Sequence, residues 1–380
     1  MLINDDCFNA LKQLPENSVD SLVSDPPYGL EFMGKEWDLA IPSVDIWKEA
    51  YRVMKPGAFG FIMCIPRQDC LSRMMISLEG AGFNINFTSI YWTYASGFPK
   101  ALNIGKKIDK KKIDNSTLDG SYGGFQPKPA VEVIIVVMKP LSAGSYINQA
   151  LENGKGVTWL DDCRIPYKNS SDEDIVKNTV GGGNTFHGEK YEKNKFDNSQ
   201  LNGRFPANLL ISDDVLDDVS RYFSLDAWAE KNLPFLIVAK ASKREKNTGC
   251  EKLKDQENKV MKGLHYFKCT KCNKKVMNPE NEKCKCEEPN FIQLKHEINY
   301  MKNIHPTVKP IKLMSYLITL GSRPGDIILD PFAGSGTTGC AAILLDRKFI
   351  LIEKDPEYFK IVKSRIEHYL SIQKNKPLEV

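Results

Sequence analysis

The chain has 380 residues, 42% of them hydrophobic and 26% charged, with a formal net charge of +4. That balance is ordinary for a folded domain and excludes a disordered, collagen-like or disulfide-dense chain. The sequence has no uncharged apolar run of membrane-spanning length, and its slight positive excess permits a polyanionic partner without requiring one.

The first hundred or so residues alternate between short apolar runs and amphipathic ones. VDSLVSD, ending at Asp25, predicts a short buried strand. SVDIWKEAYRVMKPG predicts a helix stopped by Lys55-Pro56-Gly57, and AFGFIMCI a second strand. QDCLSRMMISLEGAGF predicts a helix closing at Gly80 and Gly82, and NFTSIYWTY a third strand. This rhythm predicts an α/β fold, a doubly wound and mostly parallel sheet covered by helices.

The middle changes character. GKKIDKKKIDNSTLDGSYGGF is charged and contains glycine; Lys106 to Lys112 read either as a solvated helix face or as a contact to phosphates. PAVEVIIVVMKP predicts a strand bounded by prolines. The polar stretch KNTVGGGNTFHGEKYEKNKFDNSQLNGRFP predicts a long loop, and LPFLIVAKAS another strand. CTKCNKKVMNPENEKCKC then places Cys269 and Cys272 as C-x2-C and Cys284 and Cys286 as C-x-C. Two close thiol pairs suit a tetrahedral zinc, structural because four protein ligands close it. The alternative is four free thiols in a lysine-rich loop. The start, MLINDDCFNALKQLP, carries early acids and no basic, apolar leader pattern, so a cytoplasmic location is expected. There the ten cysteines would be thiols or metal ligands rather than disulfides.

The end returns to α/β rhythm. HPTVKPIKLMSYLITLGSRPGD contains a helix, DIILDPFAGSGTTGCAAILLD reads as strand, glycine loop and helix, and KFILIEKDPEYFKIVKSRIEHYL as strand, turn and helix. Gly334, Gly336 and Gly339 satisfy G-x-G-x-x-G, and Glu353 ends the next strand about 20 residues on, where an acid would accept hydrogen bonds from ribose hydroxyls. The pattern leaves open a dinucleotide, another adenosine cofactor, or close helix–strand packing. One such unit cannot bury both faces of a sheet, so its partner strands must come from the N-terminal block. The loops at Asp25 and Gly334 both follow strands and can therefore face one crevice at the carboxyl edge of that sheet.

Asp25-Pro26-Pro27-Tyr28 is a stiff loop, because each proline fixes φ and donates no hydrogen bond, and Pro26 biases Asp25 away from helix. These four residues resemble the catalytic motif of the amino-methylating DNA methyltransferases, which use S-adenosylmethionine. Asp330-Pro331-Phe332-Ala333-Gly334-Ser335-Gly336 resembles their methyl-donor loop, HPTVKP (His305 to Pro310) the segment before it, and INDDCFNALKQLPENSVD their usual start. The order of catalytic motif, target region and donor loop is similar to the permuted beta class. FMGKEWD, SGFPKALN, GRFPANLL and VAKASKREKNTG are further similar to phage and prophage members.

The resemblance implies methyl transfer to the N6 amine of a flipped adenine in double-stranded DNA, as in restriction–modification. N4 of cytosine is the main alternative; an RNA or protein methyltransferase, or an inactive DNA-binding relative, stands further off. The Asp form of the tetrapeptide favours adenine. It implies that the Asp25 carboxylate and the Pro26 carbonyl accept the two amine N–H groups, with Pro27 stiffening the loop and Tyr28 stacking on the base. Cys64 is then a core thiol rather than a nucleophile. Asp6, Asp25, His305, Thr307, Lys309, Asp330, Phe332, Gly334, Ser335, Gly336, Thr337 and Glu353 are expected around the donor. Residues 1–100 and 301–380 would form the methyltransferase domain. Residues 101–300 would be an inserted target-recognition region, with a zinc-ribbon-like insert at about 265–290. The implied setting is a bacterial or phage-infected cell, with DNA and a second copy of the chain as partners and no membrane.

Overall fold

The computed structural model describes residues 1–30, 38–94, 101–110, 116–125, 127–167, 203–213, 215–233, 243–257, 267–272, 275–276, 286, 290–293 and 300–374. Eight strands form the main sheet. They are β1 (Leu2–Ile3), β2 (Ser21–Ser24), β3 (Phe59–Cys64), β4 (Ile90–Thr93), β5 (Val131–Met138), β6 (Leu209–Ile211), β7 (Ile327–Asp330) and β8 (Lys348–Ile352). Their order across the sheet is β1-β8-β7-β2-β3-β5-β4-β6. β1, β8, β7, β2 and β3 pair parallel, as do β4 and β6, whereas β5 runs antiparallel to both of its neighbours.

Leu22 stands opposite Leu329, and Leu2 opposite Leu351, so the first and last parts of the chain share one sheet. Strands from the middle, β5 and β6, extend the same sheet. β3 shows why both faces must be covered. Phe59, Phe61 and Met63 point into one core, while Ile62 and Cys64 point into the other, as the two-residue period of a strand requires.

Helices α1 (Cys7–Lys12), α2 (Val44–Val53) and α3 (Gln68–Gly80) close one face; α4 (Leu225–Asn232), α5 (Ile311–Gly321), α6 (Thr337–Leu344) and α7 (Pro356–Lys374) contribute to the other. Every residue of α5 is buried, including Lys312, whose ammonium is paired with Asp226, as a charge within a core requires. Its start is held by Glu245, whose carboxylate accepts the Ile311 amide at 2.8 Å. The architecture is the doubly wound, mostly parallel α/β sheet that the sequence predicts, with β5 as its antiparallel member.

Beside this body, Phe267–Cys269, Lys275–Val276 and Phe291–Gln293 form a small antiparallel sheet. Lys106 and Lys107 are exposed on the helix Ile104–Lys110. The strand expected in LPFLIVAKAS, nearly all of the polar loop and most of FMGKEWD and SGFPKALN lie outside the described residues. Among the described residues, no helix is long and apolar enough to cross a membrane.

Candidate active site

β7 ends at Asp330, which is 2% exposed. Its carboxylate accepts Ser24 Oγ and Thr338 Oγ1, each at 2.6 Å, and the Phe332 amide at 3.1 Å. One buried acid thus joins the end of β2, the loop after β7 and the first turn of α6. Burial pushes its pKa up to about 6, against the pull of those donors.

The loop that follows needs its glycines for two different reasons. Gly334 and Gly336 have φ of +55° and +76°, in the left-handed region. A Cβ on Gly334 would also sit 2.8 Å from His305 Nε2. Gly339, by contrast, is a packing glycine: a Cβ there would stand 2.4 Å from Leu351 Cδ1. Glu353, just beyond β8, accepts the Gly334 amide at 2.7 Å and the Asp355 amide at 2.8 Å, drawing the loop over the strand end. Burial pushes its pKa up to about 7. At the rim, Asp6 caps α1 by accepting the Phe8 amide at 3.0 Å and pairs with Lys354 at 3.1 Å.

Arg365 supports the loop from below, and sequence reasoning missed it. It is fully buried on α7 and donates to the Ser335 carbonyl at 2.7 Å, Ser335 Oγ at 3.0 Å and Thr337 Oγ1 at 3.1 Å. Nothing in the sequence marks it, since a lone arginine in an amphipathic helix reads as surface.

The second half of the site begins where β2 ends. Asp38 pins the turn by accepting the amides of Tyr28, Gly29 and Leu30 at 2.7, 3.0 and 3.2 Å. The Tyr28 hydroxyl donates to Asp25 Oδ1 at 2.5 Å, and the Lys309 ammonium pairs with Asp25 Oδ2. A second carboxylate completes the group: Glu132 Oε2 lies 3.6 Å from Lys309 Nζ and 3.4 Å from the Tyr28 hydroxyl.

Sequence reasoning missed Glu132 too, although a signal exists: it is the charge in PAVEVIIVVMKP, an otherwise apolar strand. Because β5 runs antiparallel, its first residues lie at the carboxyl edge of the strands around it. Glu132 stands opposite Trp92, and Val133 opposite Cys64, the last residue of β3. Burial pushes the Glu132 carboxyl up, with Lys309 opposing and Asp25 adding to the rise. Burial pulls Lys309 down, but the Asp25 and Glu132 carboxylates outweigh it and keep the ammonium charged. The Tyr28 phenol is raised by burial and by the same two acids. Cys64 is buried in β3 with its pKa pushed up to about 12 by burial, so it is held as a thiol.

A cavity of about 790 Å³ joins the two halves, a volume suited to a cofactor-sized ligand. Asp6, Asp25, Pro26, Pro27, Tyr28, His305, Thr307, Lys309, Asp330, Phe332, Gly334, Ser335, Thr337 and Glu353 all border it. Gly336 lies behind the wall, packed against Val362. Trp92 and Tyr94 add aromatic surface that was not singled out from sequence. A backbone cradle, an aromatic edge at Phe332 and acids at one end fit a cationic adenosine ligand. Separately, the sulfurs of Cys269, Cys272 and Cys286 lie within 4.8 Å of one another, a donor set that fits a thiophilic metal. Cys284 lies outside the described residues.

The type II methyltransferase M2.MboI of Moraxella bovis is 46% identical over 71 residues, which are 19% of this chain and 26% of that protein. The DNA adenine methyltransferase YhdJ of Escherichia coli (strain K12) is 46% identical over 82 residues, 21% of this chain and 28% of that one. The chain therefore spans little more than a quarter of the length of either relative. Among solved structures, the cytosine-N4-specific PvuII DNA methyltransferase aligns over 99% of this chain and 93% of its own, at 15% identity and a TM-score of 0.45. A family model described as DNA methylase matches residues 19–364, so the chain belongs to the N6/N4 DNA methylase family.

Proposed function

We propose that the chain moves a methyl group from S-adenosylmethionine to the exocyclic N6 amine of adenine in double-stranded DNA. The observation that carries this reading is the shared cavity, which has the Asp25 carboxylate in one wall and the glycine loop in another. The partial likeness to a DNA adenine methyltransferase and the Asp at the first motif position support adenine.

S-adenosylmethionine supplies an activated methyl on a sulfonium. Asp6, His305, Thr307, Phe332, Gly334, Ser335 and Glu353 would hold it. The amine is a poor nucleophile because its lone pair is delocalised into the ring. Asp25 and the Pro26 carbonyl accept its two N–H groups and turn the lone pair out of the ring plane. Two prolines keep those acceptors fixed, and orientation of this kind accounts for much of the rate of such reactions. The base must leave the duplex first, at a cost of a few kcal/mol, which stacking in the pocket offsets. Tyr28, Trp92 and Tyr94 offer the aromatic surface for that.

The same reading assigns Cys269, Cys272, Cys284 and Cys286 to a structural zinc, supported by the three converging sulfurs. Metal analysis of protein purified without chelator should give about one zinc per chain, lost when Cys269 and Cys272 are replaced; a metal-free protein removes the assignment. A second copy of the chain rests on the resemblance alone and is read by light scattering. A bacterial or phage-infected cytoplasm is the setting that provides the DNA.

The test is methylation of unmodified genomic DNA by purified protein and donor, read by mass spectrometry of the nucleosides. N6-methyladenine is the expected product. N4-methylcytosine would keep the chemistry and overturn the base, since both amines present the same two N–H groups. Neither mark, with donor shown to bind, would remove DNA methylation as the activity of the isolated chain.

A further inference from the structure

The Asp25 carboxylate is engaged on both oxygens. The Tyr28 hydroxyl takes Oδ1 at 2.5 Å, and the Lys309 ammonium takes Oδ2. An ammonium on a carboxylate draws its charge away from any third partner. An incoming amine, a neutral and weak donor, therefore meets a partly neutralised acceptor. Something must release Asp25 if it is to grip the amine, and removing an ammonium from its counter-charge inside a protein is costly unless a second carboxylate takes it.

Glu132 is that second carboxylate. It offers one oxygen, Oε2, to both of the groups that occupy Asp25, at 3.4 Å from the Tyr28 hydroxyl and 3.6 Å from Lys309 Nζ. Both contacts are long beside the 2.5 Å bond from Tyr28 to Asp25, and a small side-chain movement would shorten them. The side chains of Lys309, Asp25 and Glu132 are only 10%, 16% and 16% exposed, so water is a poor substitute for the missing partner. The groups facing Glu132 are Asp25 and Tyr28 from the loop after β2, Lys309 from the segment before α5, Cys64 from β3 and Tyr94 beyond β4.

We propose that Glu132 is a positioning residue which receives the Lys309 ammonium and the Tyr28 hydroxyl when the target amine displaces them from Asp25. The inference rests on the methyl-transfer reading and adds to it a two-seat arrangement. The first seat, on Asp25, is filled before the base arrives. The second, on Glu132, is filled while the base is held. Only an ionised Glu132 balances the ammonium. Burial raises the pH at which it ionises, so turnover should fall as pH drops through that point.

The experiment compares wild type, Glu132→Gln and Glu132→Asp on whole-genome-amplified, unmethylated DNA. It follows kcat and KM across pH, with donor affinity measured separately by calorimetry. Glu132→Gln keeps the shape and loses the charge. Its kcat should drop about 10- to 100-fold, with donor affinity within about twofold of wild type and the acidic limb of the profile displaced or absent. Glu132→Asp should recover part of the rate and retain an acidic limb at a pH displaced from that of wild type. A Glu132→Gln enzyme within about twofold of wild type in kcat, or one with an unchanged acidic limb, overturns the proposal while leaving the methyl-transfer reading intact. If Glu132→Gln fails to bind donor, Glu132→Asp carries the test, and an acidic limb identical to wild type overturns the proposal. A wild type that binds donor but methylates nothing overturns both readings together.

Discussion

The two ends of the cavity solve the same problem in different ways. Each holds a pair of acids at the carboxyl edge of the sheet. At the glycine-loop end, Asp330 and Glu353 are held by neutral donors, the hydroxyls of Ser24 and Thr338 and backbone N–H groups. At the Asp25 end, Asp25 and Glu132 share a buried ammonium. The first arrangement leaves negative charge to be balanced by what binds, which suits a cationic donor. The second carries its own counter-charge in Lys309, which leaves less charge to be met by a ligand and suits a neutral amine. One cavity can therefore take a cationic and a neutral ligand without confusing their places.

Breaking the Asp25 end should give the largest effect. Asp25→Ala removes an acceptor and leaves Lys309 with Glu132 as its carboxylate, and should reduce methyl transfer by about 1,000-fold or more while donor still binds, as measured by calorimetry. Normal turnover in that variant would remove Asp25 from the chemistry. Breaking the other end should reverse the pattern. Gly334→Ala forces a side chain into a left-handed backbone and against His305 Nε2. Donor affinity should weaken by about 10- to 100-fold, the effect of roughly 1–3 kcal/mol. If instead donor affinity holds and only turnover falls, the division of the cavity into two ends is wrong.

The same contrast explains what was legible in the sequence. The glycine-loop end is built from one continuous strand–loop–helix–strand unit, so the glycines and Glu353 could be placed from spacing, and Asp330 from the resemblance of that loop. The Asp25 end gathers residues 25, 28, 132 and 309 from three separate segments. Asp25 and Tyr28 were visible because two prolines mark them. Glu132 was not, because its place depends on β5 running antiparallel, and an apolar run carries no mark of its direction in a sheet. Arg365 was hidden for a related reason: its burial follows from how α7 packs on the glycine loop, which no local pattern states. The strands of the N-terminal block and the α/β rhythm of the end read correctly. That the middle contributes β5 and β6 to the same sheet did not, since contiguity in sequence says nothing of which sheet edge a strand will join.

The smallest of these effects tests the charge state of the glycine-loop end directly. Glu353 has its pKa raised from 4.5 to about 7 by burial. Between those values the folded chain holds a proton that the unfolded chain has already lost. The native state then binds more protons, so stability falls as pH rises through this window and levels off above it. Asp330 acts in the same direction, from 3.8 to about 6, so the wild-type curve alone does not isolate Glu353. Glu353→Gln does, because the amide does not titrate. The difference in unfolding free energy between wild type and Glu353→Gln should shrink by about 1–2 kcal/mol from pH 4.5 to pH 7.5, a value reduced from the full shift because Glu353 keeps some contact with solvent. Urea melts at four or five pH values would measure it. A difference that stays constant would mean that Glu353 is charged throughout, its ionised form stabilised by the two N–H donors it accepts. The glycine-loop end would then carry uncompensated negative charge at every pH tested, and its contrast with the Asp25 end, which holds the Lys309 ammonium, would be sharper still.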